Sequence, residues 1–120
     1  MNPGSLAVVG LFALCLGFAS SPSSAATPAA PIKVACIGDS ITEGAGLSNP
    51  ALESYPARLQ RLLGAGYIVR NYGVSGRTLL KKGDYPYWRE SAYLQSRTWE
   101  PDVVIIKLGT NDSKPYNWRY

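Results

Sequence analysis

Three short polar segments carry the residue types that acyl chemistry needs: Gly38-Asp39-Ser40, Gly73-Val74-Ser75-Gly76 and Gly109-Thr110-Asn111-Asp112. A serine hydroxyl is a weak nucleophile until a base takes its proton, and the oxyanion it creates needs donors already in place. Ser40 offers the hydroxyl and its own backbone N–H. Gly73 offers a second N–H, with no side chain to obstruct a substrate, and Asn111 offers a side-chain amide. Each such donor is worth about 3–4 kcal/mol in hydrolases where one has been removed. Ser75 also lies next to a loop glycine, but it lacks the strand-to-serine turn of Ser40. The plainer alternative is that these residues only terminate strands and make turns.

The elements that must position these groups are legible in the pattern around them. Ile32–Ile37 is a run of apolar and β-branched residues that leads into Gly38-Asp39-Ser40 and reads as a buried strand. Glu43–Pro50 reads as a loop. Ser54 is placed to cap a helix, Pro56 suits its first turn, and Tyr55, Leu59, Leu62 and Leu63 form one apolar face. Gly64 and Gly66 stop that helix. Tyr67–Tyr72 is a second strand, and strand–helix–strand at this spacing is a parallel crossover. Arg77–Tyr87 is irregular, Trp88–Thr98 a second helix, and Asp102–Leu108 a third strand. The four β-branched residues Val103–Ile106 suit a strand covered on both faces. In a parallel sheet all three loops emerge at one carboxyl edge, so groups some seventy residues apart can share one crevice.

With the blocks placed, the chain resembles the first half of an SGNH, or GDSL-type, hydrolase. The family's first block appears as Gly38-Asp39-Ser40-Ile41-Thr42, its second centres on Gly73 within Asn71–Gly76, and its third is Gly109–Asp112. The resemblance implies an α/β fold: a three-layer, flavodoxin-like parallel sheet with flanking helices. It implies Ser40 as nucleophile and first oxyanion donor, Gly73 and Asn111 as the other donors, and Asp39 and Asp112 as loop braces. Members complete the triad with an Asp-x-x-His block near the C-terminus, whereas this sequence has no histidine. The expectation is a domain cut short after the third strand, lacking its base and slow or inactive, with an apolar edge left unpaired. The turn differs from the G-x-S-x-G elbow, because position 42 is Thr.

Composition bounds the rest. Leu6–Ala19 is an apolar run of 14 residues followed by a small-residue stretch, which reads as a secretory signal over residues 1–26, although Met1–Ser5 carries no basic residue. Residues 27–31 are then a spacer, and 32–120 a partial hydrolase domain. Export to the periplasm or outside the cell follows, with no membrane contact after cleavage. Cys36 alone would remain, so no internal disulfide forms, and without histidine or a second cysteine neither metal nor cofactor is expected. The net charge of +4 comes from scattered Lys and Arg, which argues against nucleic acid. Asp84, Glu90 and Glu53 read as solvated carboxylates. The aromatics Tyr85, Tyr87, Trp88, Tyr93, Trp99, Tyr116, Trp118 and Tyr120 suit stacking on sugar rings or packing against helices. The leading expectation is an exported serine esterase for small-molecule or glycan esters. The alternatives are an inactive or glycan-binding remnant and a flavodoxin-like nucleotide binder.

Overall fold

The computed structural model describes residues 29–118. The expected signal, Cys15 and Tyr120 lie outside the described residues. Three strands form one sheet: β1 Ile32–Gly38, β2 Tyr67–Gly73 and β3 Val103–Lys107. All pairings are parallel, in the order β2-β1-β3. Between the strands lie α1 Ser40–Glu43, α2 Pro50–Glu53, α3 Tyr55–Leu63 and α4 Ser91–Thr98. The expected α/β architecture of a parallel sheet with flanking helices is what the chain adopts. The single-turn helices α1 and α2 fall where the sequence suggested only turn and loop.

Alternation along β1 explains the layers, since successive side chains point to opposite faces. Ala35 and Ile37 join Tyr72 and Tyr87 in a buried cluster, with Ala92 and Tyr93 of α4 against it. Cys36 points the other way, fully buried, toward Tyr55 of α3; burial pushes its thiol pKa up. The Tyr87 hydroxyl is buried without being orphaned, because it donates to the Tyr72 carbonyl at 2.6 Å.

Three local expectations are corrected. Leu62 is 85% exposed, because α3 turns Pro56, Leu59 and Gln60 toward β2 and the helix angle carries Leu62 away. Ser54 occupies the α3 N-cap position, yet its side chain makes no capping hydrogen bond. The third strand is not covered on both faces among the described residues: Val103, Val104 and Ile106 are 45%, 46% and 57% exposed, since α4 lies over β1 and β2 instead. The base of β3 is fixed to β1, with Lys33 N donating to Asp102 Oδ2 at 2.7 Å and Asp102 N to the Lys33 carbonyl at 2.9 Å.

The β2 edge is treated differently from β3. Gln60 of α3 accepts from Val69 N at 2.6 Å and donates to the Tyr67 carbonyl at 3.0 Å. One side-chain amide thereby takes the backbone groups that a neighbouring strand would use.

Glycine is required where β1 and β2 end. Gly38 and Gly73 are register partners. A Cβ on Gly38 would run into Thr42 and come within 2.6 Å of the Lys107 carbonyl. One on Gly73 would run into the α1 backbone, 2.7 Å from both Thr42 C and Glu43 Cα. Gly73→Ala should therefore cost about 1–3 kcal/mol or more through overpacking against main chain, read as a lowered denaturant midpoint. Gln60→Ala leaves two backbone groups of β2 unpaired and should cost about 1–3 kcal/mol by the same measurement; an unchanged midpoint would show that solvent satisfies this edge equally well.

Candidate active site

The register delivers the three loops to one rim. Gly38 pairs with Gly73 on one side and with Lys107 on the other, so the segments that follow leave from one level of the sheet. Asp39 then caps α1, its carboxylate accepting from Ile41 N at 3.0 Å while its own N–H donates to the Lys107 carbonyl at 3.3 Å. Ser40 is the first residue of α1 and partly exposed. Among the described residues neither its hydroxyl nor its N–H has a protein hydrogen-bond partner. Both groups are available to a ligand.

The second loop is held against α1. Asn71 Nδ2 donates to the Thr42 carbonyl at 2.7 Å, and the Glu43 carboxylate accepts from both the amide and the hydroxyl of Ser75. Ser75 is thus a tie between loops. The expectation for Gly73 needs correction, because its N–H already donates to Asn71 Oδ1 at 2.8 Å. Its missing side chain makes room for the α1 backbone and not for a substrate.

The structure draws attention to Gly76 instead. Its N–H has no protein partner among the described residues, and its φ of 79° suits glycine. It sits between Ser75, tied to α1, and Arg77, whose carbonyl accepts from Asn111 Nδ2 at 3.1 Å. That places it between the first and third loops. The sequence signal was available as the second glycine of Gly73-Val74-Ser75-Gly76.

The third loop is anchored by Asp112, which is buried. Its two carboxylate oxygens accept from Leu79 N at 2.9 Å and Leu80 N at 2.6 Å. Asn117 Nδ2 donates to the Asn111 carbonyl at 2.9 Å, fixing the backbone from which the Asn111 amide projects. The three carboxylates read as solvated are engaged. Glu90 pairs with Arg77 Nε at 2.8 Å, and Glu53 accepts from Asn49 N at 3.1 Å. The Asn117 amide, with Lys114 nearby, holds the Asp84 carboxyl below its usual range.

Among the described residues no base is paired with Ser40: this sequence has no histidine, and Glu43 on the same short helix is committed to Ser75. Among the described residues no group of three His, Cys, Asp or Glu is placed to share a metal ion. No helix there is long and apolar enough to cross a membrane. A cleft of about 640 Å³ opens along β2 between Val69–Tyr72 and the α4 side, but its lining includes none of Ser40, Gly76 or Asn111. The Trp99 ring at that cleft already carries the Arg70 guanidinium, 4.4 Å from its centroid.

Comparison with known proteins follows the same blocks. Residues 36–119 match the model of the GDSL-like lipase/acylhydrolase family. An acetylxylan esterase of Xylanibacter ruminicola is 60% identical over 89 residues, covering 74% of this chain and 18% of that protein. An acetylxylan esterase / glucomannan deacetylase of Cellvibrio japonicus is 29% identical over 124 residues, covering 81% of this chain and 34% of its own length. The chain thus spans between about a fifth and a third of these relatives. The crystal structure of AlinE4, an SGNH-hydrolase family esterase, superposes with a TM-score of 0.49 at 30% identity, over 72% of this chain and 44% of that one. By its sequence blocks the chain belongs to the GDSL-like lipase/acylhydrolase family.

Proposed function

We propose that this chain carries the nucleophile and oxyanion donors of an exported esterase that removes acetyl groups from carbohydrates. The observation that carries this reading is the shared rung of Gly38, Gly73 and Lys107, which brings the three loops to one edge. Family membership and two relatives named for acetylxylan support the substrate class. Export rests on the N-terminal apolar run alone.

In this mechanism Ser40 Oγ attacks the acetyl carbonyl. The negative charge on the carbonyl oxygen is met by Ser40 N–H, Gly76 N–H and Asn111 Nδ2. Preorganisation supports these roles, since the donors are fixed by hydrogen bonds made elsewhere and need not reorganise as charge develops. The tetrahedral intermediate collapses with loss of the sugar alkoxide, which takes up a proton, and water later releases acetate from Ser40. Proton removal from Ser40 is the step for which these residues supply no base. The chain alone should therefore acylate slowly, and an added base should accelerate it.

Imidazole with 4-nitrophenyl acetate tests this directly. The expected result is an acetyl adduct on Ser40 by mass spectrometry, forming faster with imidazole and absent in Ser40→Ala. An adduct rate at position 40 indifferent to imidazole, or adducts only on lysines, would overturn the assignment. Gly76→Ala should lower the imidazole-assisted rate about 10²–10³-fold if its N–H is an oxyanion donor displaced by the new side chain. Its folding cost should be only about 1–2 kcal/mol, from the left-handed backbone, because a Cβ there meets no other atom.

A further inference from the structure

We propose that Tyr85, Tyr116 and Trp118 form a carbohydrate-stacking platform joined to the rim through Asn117. The proposal takes its ligand class from the carbohydrate-ester reading above and adds the surface that would hold the sugar.

The aromatic residues divide into two groups. Tyr72 and Tyr87 are buried; Trp99 packs on Tyr72, and Tyr93 meets Tyr87 and Trp88 edge to face. Tyr85, Tyr116 and Trp118 are instead 59%, 51% and 53% exposed. Large rings left in solvent on well-fixed backbone suit a binding role better than a packing one.

The backbone beneath these rings is pinned. Asp84 N donates to Asn117 Oδ1 at 2.9 Å, and Asn117 Nδ2 donates back to Asp84 Oδ1 at 3.0 Å. This reciprocal pair clamps the residue before Tyr85 to the residue between Tyr116 and Trp118. The Tyr85 carbonyl accepts from Thr78 N at 3.0 Å, closing the other side of the loop. Asn117 Nδ2 also reaches the Asn111 carbonyl at 2.9 Å, so the clamp and the candidate oxyanion residue form one assembly.

The local chemistry fits a neutral pyranose. Such a ring shows an apolar C–H face to an aromatic plane and hydroxyls around its rim. Asp84 adjoins Tyr85 in the chain, Asn117 lies between Tyr116 and Trp118, and Lys114 stands by the Tyr116 ring, so all three polar groups are near enough to offer hydrogen bonds to those hydroxyls. The two cations that stand over these rings are each paired: Lys114 Nζ, 5.8 Å from the Tyr116 ring centroid, is 3.5 Å from Asp84 Oδ2, and Arg77 beside the Tyr85 ring is paired with Glu90.

Isothermal titration calorimetry of the intact chain with xylohexaose tests the platform. Tyr85→Ala and Trp118→Ala should each weaken binding about tenfold or more, while Tyr85→Phe, which keeps the ring, should stay within about twofold of the parent. Absence of measurable binding by the parent chain at millimolar sugar overturns the proposal, as does an unchanged Kd in both alanine variants. Acetylation of Ser40 in the parent chain, measured separately, reports on the esterase reading alone. Ring-dependent sugar binding without acetylation upholds the platform while that reading falls, and acetylation without sugar binding does the reverse.

Discussion

Two missing β-carbons govern the geometry of the rim. Gly38 and Gly73 face each other at the ends of β1 and β2, and the first turn after β1 folds down onto them so closely that neither position admits a side chain. The approach puts Thr42 fully inside, brings its carbonyl to Asn71, and lets Glu43 reach Ser75. A side chain at either glycine would lift α1 and move Ser40 with it. The position of Ser40 therefore depends on main-chain contact more than on any side-chain interaction.

The loops at this rim are held by polar ties. Asp112 binds two backbone N–H groups, Asn71 spans two loops, and Asn117 touches both Asp84 and Asn111. Directional bonds of this kind fix orientation more tightly than apolar contact, as the proposed oxyanion role would require. The arrangement has a cost beside Ser40, where the buried Asp39 Oδ2 has no hydrogen-bond partner among the described residues. Its other oxygen caps α1, so the residue that shapes the turn is also the one left partly unsatisfied.

The strands and their loops were legible because β-branched runs bounded by Gly, Asn and Asp have few other uses. Ile32–Gly38 and Val103–Lys107 are the clearest cases. What sequence alone missed were matters of direction. Sequence alone singles out Gly73 as the second-loop donor, but Asn71 occupies its N–H and the N–H left free is that of Gly76. Leu62 fits a helical face at the right spacing, yet the strand lies around the other side of the helix. The carboxylates at 53, 84 and 90 look like solvated surface because their partners come from elsewhere along the chain or from backbone N–H groups, which composition does not reveal. Single-turn helices such as α1 carry too short a period to register at all.

Gln60 gives the sheet a polarity of growth. With its amide imitating a neighbouring strand along β2, that margin offers an incoming peptide few bonds to gain, whereas among the described residues β3 has an apolar flank with no strand beside it. Recruitment of further backbone, whether from the same polypeptide or from a stray one, is thereby steered to a single side. One glutamine far from Ser40 in sequence thus decides on which flank this molecule is sociable.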